Sequence, residues 1–415
     1  MNLLVVVVDR LHAGFLGCYG NAWVATPHFN RLAADSYLFD QAYVDQPDLH
    51  QLYESWWSGT HPLERHGGRV VLPLPARLNQ AGYATTCLTD EPLVADHPWT
   101  AEFDAVIRVG VATGDPRPTE LAATTDDTQA ARLFAAAAHF LETARRPFCL
   151  WLHSRGLEGA WDAPYHFREG YADDGEAPPP LIVEPPCRAL ATDDDPDELW
   201  GLCQAYAGQV GLVDECLGGL WEQLDAARLT NETALIVLGA RGFPLGRNSR
   251  FGDTDQALYG ELVQTPWLMR FPDRLGAAAR TQSLVQPSDL MPTLCSVASL
   301  GAEIDSAGRD LLPVVRNEVT AVREGICLVG RGGERAFRTP AWYLRIPPAN
   351  AAGEETPLEL YTKPDDRWEI NDVAGRCPDT VAAMRVAHDV LAERLASGQS
   401  HECPALDESL TSDLR

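Results

Sequence analysis

The sequence lacks any sign of paired or metal-bound cysteine. Its ten cysteines are scattered, with no CxxC and no Cys/His pair at zinc spacing, which excludes a zinc module and a legible disulfide framework. Most of them sit in apolar surroundings and read as small buried residues. No apolar run approaches the ~20 residues needed to span a bilayer, so no membrane-spanning helix is expected. Positive charge is also scarce. Against 59 Asp+Glu there are only 33 Lys+Arg, a formal net charge of −26, and a field of that sign repels nucleic acid and anionic membrane. The same field is awkward for chemistry on sulfate or phosphate unless a metal or an arginine cluster reverses it locally. Finally, no basic segment precedes the first apolar run and no small-residue cleavage site follows it. No signal peptide is read, and a reduced, cytoplasmic setting is expected.

What is present is a repeated strand, loop and helix texture. Residues 3–8 (LLVVVV) form an uninterrupted, mostly β-branched run, suited to a central parallel strand buried on both faces. It ends in Asp9-Arg10, where open α/β sheets hold their ligands. A glycine-rich loop (Gly14, Gly17, Gly20) follows, then a helix over 28–36 opened by Thr26-Pro27. An extended run over 36–44 hands over to a second helix. Pro47 stops the strand, Asp48 is the N-cap, and Gln51 completes the spacing of a capping box. Leu49, Leu52, Tyr53 and Trp56 follow as one buried stripe, and Gly59 ends it. Further helices are expected over 72–81, 127–144 and 198–227, and strands over 83–88, 148–153 and 234–238. The polar stretch 165–197 reads as a long surface excursion. These units predict an α/β fold: a mostly parallel sheet covered by helices on both faces. From about residue 317, short segments (325–329, 341–346, 358–361) alternate with Gly/Pro turns and predict a small antiparallel sheet. A closing helix over 380–396 and an acidic, frayed tail follow. The expected division is a domain over 1–315 and a smaller one over 316–415.

The landmarks fall in a recognisable order. Residues 5–20 (VVVVDRLHAGFLGCYG), 26–34 (TPHFNRLAA) and 42–67, ending HPLERHG, are followed by Gly82-Tyr83, Pro147-Phe148, Thr265-Pro266, SDLMPTL at 288–294 and LELY at 358–361. This set resembles the sulfatase family of the alkaline phosphatase superfamily. The resemblance implies hydrolysis of sulfate or phosphate esters with a divalent cation. It also implies a nucleophile, an oxidised cysteine or a serine or threonine, at a helix start within Cys-x-Pro-x-Arg. Carried over, the nucleophile position is Leu49, the proline Gln51 and the arginine Tyr53. Leucine has no lone pair to attack with, and tyrosine cannot supply the fixed positive charge. Of the first metal pair Asp9 remains beside Arg10, and the second pair falls on Ala240-Arg241. The family's cationic positions fall on Asp90, Glu158 and Asp255.

Cationic positions have thus become acidic, and metal-ligand positions have become arginine. This predicts that Arg10 and Arg241 point toward the metal position and pair with Asp9 and some of Asp90, Glu158 and Asp255. One reading is a pseudo-sulfatase without nucleophile or metal, acting as a binding or regulatory module for a small anionic ligand, held by Arg10 and Arg241, or for a protein partner. The alternative is an active ester hydrolase with an atypical site that uses calcium or magnesium, in which His50, oriented by Asp48, or His153 takes the chemical role. A third reading, a structural subunit, calls for a sizeable exposed apolar patch. His61 and His66 read as parts of the turn after the helix, Asp193 to Asp195 as a solvated turn, and Cys18 and Cys87 as unactivated thiols.

Overall fold

The computed structural model describes residues 1–64, 71–110, 118–173, 175, 177–300, 306–350, 352–398 and 400–412; His66 lies outside them. The chain divides into two compact units. The first comprises Met1–Leu38, Pro75–Thr254 and Thr265–Arg280, and the second Phe39–Leu74, Asp255–Gln264 and Thr281–Arg415.

The main sheet is built from β1 (Asn2–Val8), β2 (Tyr37–Ala42), β3 (Ala84–Thr89), β4 (Ala105–Arg108) and β5 (Phe148–Ser154). After a short β6 (Arg188–Ala189), it is joined by β7 (Thr233–Gly239) and, after a short β8 (Arg250–Phe251), by β9 (Trp267–Arg270) and β10 (Ala279–Val285). The eight strands run in the order β10-β2-β9-β7-β1-β5-β3-β4. Within the first unit β1 is central and parallel to both neighbours, with Leu3 opposite Cys149 of β5 and Ala234 of β7. β3 is parallel to β5 and to β4, whereas β9 runs antiparallel to β7. All seven residues of β1 are buried, as its unbroken apolar run requires. Leu4, Val6 and Val8 join one core with Leu133, Ala137, Tyr206 and Leu217 from two long helices.

Those helices begin where their caps dictate. Thr128 accepts from the Ala131 N–H, so the helix runs Gln129–Thr143, and Asp127, expected as its first residue, instead ends a 3-10 turn over Thr125–Asp127. Asp195 accepts from the Asp197 N–H with Pro196 as first helical residue, which starts the helix Pro196–Ala226 two positions before the expected 198. The excursion between them is anchored rather than loose. Buried Arg168 donates to the carbonyls of Ile182 and Trp161, at 3.0 and 2.9 Å, and to that of Pro180. β6 pairs with β8.

In the second unit the helix Leu49–Ser58 begins at its expected cap, with the Asp48 carboxylate accepting from the Gln51 N–H at 3.2 Å, and ends at Gly59, φ 70°. The small sheet is antiparallel throughout: β11 (Ile326–Val329), β12 (Arg335–Arg338), β13 (Trp342–Ile346) and β14 (Glu359–Thr362). Phe337, Leu344 and Leu360 pack on Met384 and Leu391 of the helix Pro378–Ser397. The tail expected to fray is docked as far as it is described: Leu410 is buried, and the Trp342 indole N–H donates to Ser409 O at 2.9 Å.

Candidate functional site

The site is built where β1 stops. Asp9, fully buried, takes up the hydrogen bonding of the strand, its N–H to Ser154 O at 3.0 Å and its carbonyl accepting from Leu157 N–H at 3.1 Å. Gly156 lies against it at φ 50°, and a Cβ there would come within 2.8 Å of Asp9 O. Only glycine fits. The chain then turns through Arg10 in the left-handed region, φ 60°, which disfavours a non-glycine residue by about 1–2 kcal/mol. Three bonds hold this conformation: Arg10 N–H to Asp9 Oδ1 at 2.9 Å, the Tyr206 hydroxyl to Arg10 O at 2.6 Å, and the same hydroxyl accepting from His12 N–H at 2.9 Å.

The turn delivers the Arg10 guanidinium into a buried position between two acids. Nε donates to Glu158 Oε2 at 2.7 Å and Nη2 to the Asp253 carboxylate. Arg241, just beyond the end of β7, faces Asp9 as a fork, Nε to Oδ1 at 3.0 Å and Nη2 to Oδ2, and its Nη2 lies 3.9 Å from Glu158. Burial alone would raise the Asp9 carboxyl, but Arg241, then Arg10, outweigh it and hold it at about 2. Burial likewise acts to lower Arg241, and Asp9 with Glu158 raises it instead.

Beside this network burial pushes Asp90 up to about 7, although it accepts from Arg155 N–H at 2.7 Å. Arg155 Nε is paired at 3.0 Å with Glu91, which also caps Leu93 N–H. Buried His153, at the end of β5, is lowered to about 4 by burial, with Asp9 opposing, and is a neutral imidazole at pH 7. A cavity of about 410 Å³ opens next to Asp90, its wall including Asp127, Arg132, Arg155 and Asp162.

The structure therefore gathers Asp9, Arg10, Glu158 and Arg241, four of the residues singled out in the sequence. Two expected partners differ. Asp90 is bonded to the Arg155 backbone, and Asp255 belongs to the second unit, where it accepts from Ala257 N–H at 3.1 Å. Asp253, two residues earlier, supplies the carboxylate to Arg10. Ala240 offers no ligand atom and donates its N–H to Val8 O at 3.0 Å. In the second unit Leu49 is the buried first residue of its helix, and Tyr53 is buried edge-on against Trp56 and Trp57. His50 is exposed, its Nδ1 3.8 Å from Glu54.

Arg10 and Arg241 already hold carboxylates, so an incoming anion would have to displace them. The residues present do not fit a divalent ion either. Such an ion needs several oxygen donors, yet both Asp9 oxygens accept from Arg241, and the other positions the resemblance assigns to ligands are arginine and alanine. Sequence reasoning missed Asp253, Glu91, Arg155 and Tyr206. Tyr206 lies 196 residues from the backbone it holds, and nothing local in the sequence marks it.

Comparison with known proteins gives a consistent result. The family described as Sulfatase matches residues 1–300. An Ulvan-active sulfatase of Formosa agariphila is 22% identical over 328 residues, covering 76% of this chain and 58% of that protein. An N-acetylglucosamine-6-O-sulfatase of Bacteroides thetaiotaomicron is 27% identical over 113 residues, 27% of this chain and 20% of that protein. The chain thus matches less than two thirds of the length of either. Human iduronate 2-sulfatase is 22% identical over 405 residues, covering 75% and 73%. Among solved structures, the phosphonate monoester hydrolase of Agrobacterium radiobacter has a TM-score of 0.73 at 17% identity over 95% of both chains. A protein solved with its substrate D-glucosamine-2-N,6-O-disulfate has a TM-score of 0.75 at 17% identity, covering 97% and 99%. At such identity these structures speak for the fold alone.

Proposed function

This chain belongs to the sulfatase family, and we propose that within it the protein is a non-hydrolytic member that keeps the fold as a binding or regulatory module. The observation that carries this reading is the closed fork between Arg241 and Asp9. It leaves the retained acid with no free oxygen for a metal, while Leu49 at the helix start offers no nucleophile. His50 is an exposed helix side chain near Glu54, and His153 is buried and neutral; neither has a geometry that favours a substitute nucleophile. The cavity beside Asp90 supports the binding half of the reading, because its carboxylate and guanidinium lining suits a polar ligand carrying donors and acceptors. The scatter of the ten cysteines, without CxxC or zinc spacing, agrees with a reducing, cytoplasmic setting. Among the described residues no helix is long and apolar enough to cross a membrane.

The test is turnover of nitrophenyl sulfate and nitrophenyl phosphate with added calcium, magnesium or manganese. Release at the protein-free rate is expected. Metal-dependent release that disappears in His50→Ala would overturn the proposal in favour of a relocated nucleophile.

A further inference from the structure

We propose that β4 is a self-association edge, at which two copies of this chain pair their outermost strands antiparallel about a twofold axis at Val106. β4 ends the order of the main sheet, and among the described residues no strand lies on its outer side. Residues 104–108 (DAVIR) are exposed without a break, Val106 at 37% and Ile107 at 38%. Every other strand of the sheet has buried residues. Proteins usually blunt such an edge with charge, proline or a bulge, because its unpaired backbone groups are a template for another strand. Here the middle of the edge is apolar, and the charges stand only at its two ends, with opposite sign.

The hydrogen-bond phase shows which groups face outward. Val109 N–H donates to Thr89 O at 3.0 Å, and Ile107 is registered with Leu88. Ala105 and Ile107 therefore turn their backbone groups to β3, whereas Val106 and Arg108 turn theirs away from it. Antiparallel strands set outward residues opposite one another in bonded pairs. With Val106 opposite its own counterpart, the two valines exchange both N–H···O bonds. Arg108 N–H then meets the Asp104 carbonyl of the other copy, once on each side of the axis.

The same register sets the Asp104 carboxylate opposite the Arg108 guanidinium at both ends, the cross-strand pairing that stabilises a ladder. The neighbouring bonded registers place Val106 opposite Asp104 or Arg108 and separate those two from each other. This self-complementarity names a second copy as the occupant. Asp104 is already fixed for the purpose, its N–H donating to Thr85 Oγ1 at 3.0 Å and its Oδ2 accepting from Thr85 N–H at 2.9 Å. Arg108 lies against Asp96 at 2.7 Å, a pair whose side chains are 46% and 65% exposed. An exposed pair of this kind holds weakly, so turning Arg108 toward the other copy costs little. None of these residues belongs to the network around Asp9, and the proposal stands apart from the proposed function.

The experiment follows the mass of the full chain by sedimentation equilibrium over about 1–500 µM, a range suited to an interface below the standard size. A monomer–dimer equilibrium is expected. Val106→Pro removes only an outward donor, since the bonds to β3 are made by its neighbours, and an edge strand accepts proline at such a position. It deletes both bonds at the axis and should weaken the dimer at least about tenfold. Arg108→Glu sets like charges opposite each other at both ends and should weaken it roughly tenfold. Should Val106→Pro not fold, amide exchange of the parent carries the decision. The Val106 and Arg108 amides should gain protection as concentration rises, while those of Ile107 and Val109, bonded to β3, should not change. A parent that stays monomeric over the whole range overturns the proposal. So does a dimer that either folded variant leaves intact, or one whose formation does not protect Val106 and Arg108.

Discussion

Two aspartates, one in each unit, are buried to the same degree and have opposite fates. Asp9 and Asp45 are both 0% exposed. Burial acts on both carboxyls in the same direction, upward. At Asp9 a forked arginine reverses it and the group is held at about 2. At Asp45, burial pushes the carboxyl up to about 8, and the Ser55 hydroxyl and Gln46 amide that lower it are neutral donors. The charge that acts on it is no help, because Asp289 raises it further. The lesson is that a counter-cation, not burial, decides whether a buried acid is an anion. A position to which the family resemblance assigns a metal can therefore keep its charged aspartate only if another cation is supplied.

The comparison breaks first at Arg241. Arg241→Ala should leave Asp9 as a buried anion with no forked partner, and the loss is expected to be about 3–5 kcal/mol, read by urea unfolding at neutral pH. A loss under about 1 kcal/mol would mean that water or Arg10 already serves Asp9 and that the fork is incidental. The pH profile gives the sign. Asp9 has a folded value below its unfolded one, so its contribution is complete above about pH 4 and disappears as pH falls toward 2.

Asp45 should behave in the opposite sense. Its folded value of about 8 lies above the unfolded 3.8, so between those values the folded chain holds a proton that the unfolded chain has released. Stability attributable to Asp45 therefore falls as pH rises through that window, by at most about 1.4 kcal/mol per pH unit. Asp45→Asn removes the ionisable group at nearly constant shape. It is expected to be more stable than the parent at pH 7 and to flatten the slope between pH 5 and 8. An unchanged slope would show that Asp45 is already solvated or paired.

How far all this can be read from sequence depends on whether the signal is local. The run of residues 3–8 announces a central strand because only a strand buried on both faces tolerates six consecutive apolar residues. Asp48 announces a helix start because a cap acts within three residues. The shift from 127 to Gln129 as a helix start turns on whether Thr128 or its neighbour takes the cap, a choice the composition leaves open. Charge inversion at Arg10, Glu158 and Arg241 was legible by comparing signs with the family pattern. Which acid meets Arg10 was not, since Asp253 and Asp255 flank the same turn and differ only in direction. The anchoring of the excursion by Arg168 was hidden for another reason. Its partners are backbone carbonyls, and every residue has one.

The smallest expected effect comes from Glu158, the partly exposed member of the network, at 36% side-chain exposure against 0% for Asp9. Glu158→Gln keeps a hydrogen-bond acceptor for Arg10 Nε, leaves Asp253 on Nη2, and leaves the Arg241–Asp9 fork untouched. Because water can screen this end of the network, the loss should be about 0.2–1 kcal/mol, shrinking as salt is added. The fork should show much weaker salt dependence, because buried pairs are screened little. Urea unfolding of Arg241→Ala and Glu158→Gln at low and high ionic strength separates the two cases. A Glu158→Gln loss as large and as salt-insensitive as that of Arg241→Ala would mean that Glu158 is as essential to the buried charge as Asp9, and that the network is one cooperative unit with no weak edge.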